Sequence, residues 1–193
     1  PAACLAASNR GAASGRDGDE LLLDADGLNR LAAQGNVQLW LQQRRGPTWL
    51  TPHAAEFERL FPELANLPPH QAASQAAQQS QCWVLRKGAR TLIASPDGMV
   101  RQVLQSEARA ARAGLGDVLS GYAAGLGAMG LAAGLDPTGD RFDGLLALAA
   151  LAHASAGIRQ SQAGEGAASP LAIAQMLQKV QDDSAGNNEQ NSN

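Results

Sequence analysis

Cysteine is almost missing from this 193-residue chain, which carries only Cys4 and Cys82. Two thiols exclude a disulfide scaffold and a four-cysteine zinc site, and their scarcity suits a reducing cytoplasm. An excess of positive charge is missing too. Fifteen basic residues against eighteen acidic ones leave a formal charge of −3, so no global field draws the chain to nucleic acid or to an anionic membrane, and any phosphate it binds is held locally. The first residues have no basic region followed by an apolar stretch, which argues against a signal peptide, and a start at Pro1 reads as a cut end. Val118 to Leu135 is eighteen residues without a formal charge and reaches the lower edge for a membrane span. Its five glycines, five alanines and only four leucines point instead to close packing inside a protein. No internal repeat is present. What remains is 45% hydrophobic and 17% charged, the composition of one globular domain with a sizeable core.

The order of elements predicts an α/β fold. Leu21-Leu22-Leu23 reads as a buried strand that delivers Asp24 and Asp26 at its carboxyl end, followed by a helix from about Leu28 to Gln34. Pro47 to Thr51 reads as a second strand, after which Pro52 opens a helix over Ala54 to Phe61. A helix over Pro68 to Gln81 precedes strands at Cys82–Leu85 and Thr91–Ala94, a turn at Ser95-Pro96-Asp97-Gly98, and a strand at Val100–Leu104. Helices follow over Asp117–Ala133 and Phe142–Ala156, and Ser169-Pro170 opens a last one to about Gln181. The polar end from Ser184 is expected to be disordered. Buried strands alternating with helices make a mainly parallel sheet, whose ligands bind outside the strands' carboxyl ends.

Several residue groups at those ends can carry chemistry. Arg112 to Gly121 holds Gly114-Leu115-Gly116-Asp117 at the start of an apolar helix. Glycines let backbone N–H groups approach an anion, the helix start adds unpaired amides, and Asp117 can take a proton. The same residues also suit ordinary capping, with Asp117 answering the helix dipole. Thr51-Pro52-His53-Ala54-Ala55-Glu56 places an imidazole and a carboxylate three residues apart, suited either to a ligand or to closing a helix, and a metal there would need a third ligand. Lys87 beside Gly88 suits either a phosphate or a solvated strand end. His153, deep in an apolar helix, reads as a packed core histidine.

The series Leu22-Leu23-Asp24-Ala25-Asp26-Gly27-Leu28-Asn29, Thr51-Pro52-His53-x-x-Glu56, Lys87-Gly88-x-x-Thr91, Gly114-x-Gly116-Asp117-Val118-Leu119-Ser120-Gly121 and Ala152-His153-x-x-Ala156-Gly157 resembles the NAD(P)H-hydrate dehydratase family. Five ordered motifs are far more specific than one. The resemblance covers roughly residues 20 to 160 and implies a ribokinase-like domain over 19–182, flanked by a non-matching segment or linker at 1–18 and a polar tail at 183–193. The family's N-terminal strands and Gly-Pro-Gly-rich loop have no counterpart in Pro1 to Asp19.

The resemblance further implies an ADP- or ATP-dependent lyase that restores NAD(P)H from the S epimer of its hydrate, by phosphorylating the hydroxyl and expelling phosphate. Under it, Asp117 is the base on the substrate hydroxyl, the Gly114 and Gly116 amides are the anion hole, and His53 contacts the hydrated dinucleotide. Lys87, Gly88, Ala89, Arg90, Thr91 and Gly116 match the nucleotide-binding segment, while Asp24, Asp26 and Glu56 are pocket or magnesium contacts. Hydrated NADH or NADPH and an adenine nucleotide are the implied partners, with a homo-oligomer and a fused or separate epimerase domain compatible with them. Two other readings stand beside it: a ribokinase-like kinase of another small alcohol, and a nucleotide-binding remnant without turnover.

Overall fold

A computed structural model describes residues 20–104, 114–137, 140–162 and 169–178. The segments expected as linker and polar tail, 1–18 and 183–193, lie outside these residues. The described chain runs β1 (Leu21–Leu23), α1 (Asp26–Ala33), α2 (Val37–Gln42), β2 (Thr48–Leu50), α3 (Ala54–Leu60), a short 3-10 turn (Pro62–Leu64), α4 (Pro69–Ser80), β3 (Trp83–Arg86), β4 (Leu92–Ala94), β5 (Val100–Gln102), α5 (Leu115–Ala132) and α6 (Asp140–Gln162). A final helix, α7, spans 170–178, and the Ser169 hydroxyl accepts from the Ala172 N–H at 3.1 Å, so the Ser-Pro pair caps and opens it.

The five strands form one sheet in sequence order. β1, β2 and β3 are parallel, with helices carrying the chain from each to the next. β4 and β5 return antiparallel, because the turn from Lys87 to Thr91 is too short to carry a parallel crossover. The parallel strands are buried on both faces, which is why Leu21 to Leu23 reads as an unbroken apolar run rather than an alternating one, while the edge strand β5 is partly exposed. Leu21, Leu23, Leu50 and Val84 face α1 to α4 in one core, with Phe57 and the alanines of α4. Leu22, Trp49, Trp83 and Leu85 face α5 and α6 in the other, where the tilted rings of Trp49 and Phe142 pack at 5.2 Å between centres. The result is an α/β/α sandwich, the ribokinase-like architecture expected.

The small-residue run is the closely packed helix α5, and no described helix is long and apolar enough to cross a membrane. Cys82 is buried and free, and burial pushes its thiol up to about 12, so it packs as a small apolar group.

Candidate active site

The carboxyl ends of β1, β2 and β3 lie side by side. Past the strands proper, the Thr51 N–H donates to the Leu23 carbonyl at 3.1 Å and the Lys87 N–H to the Pro52 carbonyl at 2.8 Å, so parallel pairing continues into the loops. This aligns Asp24, Thr51 and Lys87 in a row. Asp24 follows Leu22 by two residues and points to the α5 side of the sheet. Asp26 does not, because Ala25 turns the chain at φ +46° and Asp26 enters the first turn of α1. There it lines a cavity of about 380 Å³ with Leu21, Leu23, Arg30 and Trp40, away from the Asp24 row.

Asp24 is the hub of the row. Its Oδ1 accepts from the Lys87 ammonium at 2.7 Å and its Oδ2 from the Ser120 hydroxyl at 2.6 Å. Ser120 Oγ lies 3.5 Å from Thr51 Oγ1, which also bonds the Leu23 carbonyl at 3.2 Å. Strand ends and α5 are thus tied together by polar side chains. Thr51 and Ser120 were not among the expected site residues. Ser120 lies one helical turn beyond Asp117, a position visible in the motif, but nothing local indicates that Asp24 is its partner.

The glycine turn sits over this row. Gly114 is the N-cap of α5 at φ +86°, a left-handed conformation that glycine adopts without a Cβ clash. The first intrahelical bond runs from the Val118 N–H to the Gly114 carbonyl at 3.2 Å, so the N–H groups of Leu115, Gly116 and Asp117 precede it without helical partners. A Cβ on Gly116 would lie 3.4 Å from Lys87 Nζ and 3.9 Å from Asp24 Oδ2, which places the ammonium alongside this free-amide turn. Asp117 is exposed at the third helical position. Free amides, a cation and an exposed carboxylate therefore meet where the dipole of an 18-residue helix is positive. Such an arrangement holds an anion and takes a proton from a neighbouring hydroxyl.

The other expected residues occupy more individual settings. His53 caps α3: its Nδ1 accepts from the Glu56 N–H at 3.3 Å, and Glu56 Oε2 accepts from the His53 N–H at 2.8 Å. This is a capping box, and His53 Nε2 also lies 3.2 Å from Glu56 Oε1. The Glu56 carboxylate is committed to its own helix, while the His53 ring is half exposed. Gly88, Ala89 and Arg90 are exposed in the β3–β4 turn, closed by Thr91 Oγ1 donating to the Gly88 carbonyl at 3.4 Å. His153 lies in α6 only partly buried, short of the core position expected of it. Burial holds its pKa below the usual imidazole range, partly opposed by a hydrogen bond to the Leu115 backbone.

A dedicated magnesium cage does not fit these residues. Among those described, no group of three or more His, Cys, Asp and Glu side chains comes together, and both oxygens of Asp24 are already engaged.

The profile of a family described as NAD(P)H-hydrate dehydratase matches residues 9–179. Over 144 residues the chain is 44% identical to the bifunctional NAD(P)H-hydrate repair enzyme Nnr of Synechocystis sp., covering 74% of this chain and 26% of that protein. It is 50% identical over 101 residues to the protein of the same name from Gloeobacter violaceus, covering 52% of this chain and 19% of the other. A Bacillus subtilis ADP/ATP-dependent NAD(P)H-hydrate dehydratase, co-crystallized with ATP and Mg2+, superposes with a TM-score of 0.58 at 27% identity, over 73% of this chain and 49% of that one. The chain therefore spans about half the length of that solved structure and about a quarter or less of these two curated relatives.

Proposed function

The chain belongs to the NAD(P)H-hydrate dehydratase family, and from that premise we propose that it takes part in the nucleotide-dependent dehydration of the S epimer of hydrated NADH or NADPH. The observation that carries this reading is the glycine turn of α5 set beside the Lys87 ammonium, with Asp117 exposed at the same helix start.

The chemistry follows from what those groups can do. Asp117 accepts the proton of the ring hydroxyl as its oxygen attacks the terminal phosphorus of ADP or ATP. The bond from that phosphorus to the remaining nucleotide breaks. The amides of Gly114 and Gly116, with that of Leu115 between them, receive the charge that gathers on the transferring group, where fixed donors outperform water because they need no reorientation. Phosphate then leaves the ring carbon, pushed by the ring nitrogen lone pair, and loss of a proton from the neighbouring carbon restores the double bond. Lys87 through Thr91 form the nucleotide-binding segment, and His53 contacts the hydrated dinucleotide from the α3 cap. Magnesium would come with the phosphates, since a hard, hydrated cation is commonly held by phosphate oxygens, waters and at most one or two carboxylates.

The test is direct. Protein, magnesium, ADP or ATP and hydrated NADH together should restore the absorbance of the reduced ring. Asp117→Asn should lower the rate by a factor on the order of 10² to 10⁴, the usual contribution of a positioned base. Equal rates in the two proteins would remove Asp117 from its role. Nucleotide consumption with a small alcohol, beside untouched hydrated NADH, would favour a kinase instead. A second reading is nucleotide binding without turnover. Calorimetric binding of ADP beside no ring recovery would establish it.

A further inference from the structure

The Lys87–Asp24 pair bridges the ends of β3 and β1 across β2, and it is asymmetric: the carboxylate side chain is 9% exposed and the lysine 20%. Asp24 is the inner partner and its oxygens are filled from both sides, by Lys87 Nζ at 2.7 Å and by Ser120 Oγ at 2.6 Å. Ser120 is itself buried against Thr51, which is fully buried. The outer end of the pair, the ammonium, lies beside Gly116.

We propose that Asp24 is the positioning residue for Lys87: it meets neither nucleotide nor metal, but fixes the ammonium beside the amides of α5 before a phosphate arrives. This rests on reading Lys87 as a nucleotide contact. A free lysine side chain has four rotatable bonds and loses about 2 kcal/mol of rotamer entropy when immobilised. Held by a carboxylate, it loses that freedom on folding rather than on binding, which is preorganisation. One of its three N–H groups points to Asp24, leaving two to reach a phosphate. A metal ion on Asp24 would have to displace either the lysine or the serine, so the magnesium requirement should not depend on this carboxylate.

The experiment is a double-mutant cycle on ADP affinity, measured by calorimetry, with Asp24→Asn, Lys87→Ala, the double variant and Ser120→Ala. Lys87→Ala and Asp24→Asn should each weaken ADP about tenfold or more, the scale of a charge-assisted hydrogen bond. Asp24→Asn should cost nothing further in the Lys87→Ala background, because residues acting through one group are not additive. Ser120→Ala should give a smaller loss with the same dependence on Lys87. The magnesium concentration for half-maximal ADP binding should be the same in Asp24→Asn as in the wild type. Additive losses, or a shifted magnesium requirement, would overturn the proposal.

A second measurement needs no nucleotide. Acetylation of Lys87 by a small amine reagent, followed by peptide mapping against Lys179, the other lysine of the chain, should be several-fold faster in Asp24→Asn and in Ser120→Ala. An unchanged rate would overturn the proposal. Failure of the wild type to bind ADP would sink the functional reading alone, and the acetylation rates would still decide the role of Asp24. If Asp24→Asn does not fold, Ser120→Ala carries both comparisons.

Discussion

Glu20 is the residue whose setting departs furthest from its chemistry. It is 4% exposed, neither carboxyl oxygen has a hydrogen-bond partner among the described residues, and burial pushes its pKa up to about 7. The carboxyl lies against α5 where Gly127 has no side chain; a Cβ there would meet Glu20 Oε1 at 2.0 Å. With its folded pKa raised, Glu20 binds a proton more tightly in the folded chain than in the unfolded one, where 4.5 applies. Its favourable contribution is therefore complete below pH 4.5 and declines until about pH 7, above which it is gone. Urea unfolding should show this decline, of up to roughly 3 kcal/mol at 1.36 kcal/mol per pK unit. Glu20→Gln should remove that component of the pH dependence, and a slope unchanged by the substitution would refute the assignment. Nothing in the sequence announces this burial. Glu20 stands directly before an apolar run, where a charged residue normally marks the solvent-exposed strand end, and only the packing of α5 encloses it. Asp117 and Lys87 were different, because their neighbouring glycines signal backbone geometry independently of any distant partner.

At the scale of elements, legibility follows how local the cause is. The apolar runs of β1 to β3 and the proline-opened helices α3, α4 and α7 carry their own signals, and the structure has them within a few residues of expectation. Helix α2, Val37–Gln42, was not anticipated. At six residues it completes less than two turns, its Asn36 N-cap makes no side-chain bond, and its hold comes from burying Val37 and Leu41. Helix α5 begins at Leu115 rather than Asp117, since a glycine N-cap lacks the side-chain signature of a start. Helix α6 continues through Gly157 to Gln162, where tertiary packing outweighs the glycine's weak helix propensity. The cap of α3 separates the two readings of His53. His53→Ala should cost about 1 kcal/mol in chemical denaturation, the usual loss of a cap. If His53 also touches the dinucleotide, the same variant should raise KM for hydrated NADH at saturating nucleotide. A stability loss with KM unmoved would leave it a cap alone.

Across the whole molecule, the layered α/β/α plan was legible from the alternation of buried strands and helices, and the site from strand ends converging on one side. The wiring of that site was not, because it joins residues remote in sequence. Asp24 is bonded to Lys87 over 63 residues and to Ser120 over 96. That wiring has a kinetic consequence. Closing long loops is entropically unfavourable until much of the chain is ordered, so the three-way junction should form late on the folding path, after β1 to β3 have paired. Stopped-flow measurements on Ser120→Ala should then show faster unfolding and an unchanged refolding limb, with a φ-value near zero. A slowed refolding limb would place α5 in the folding nucleus instead. Late assembly would make the Lys87 ammonium among the last groups fixed as the chain folds, and the first released when it opens.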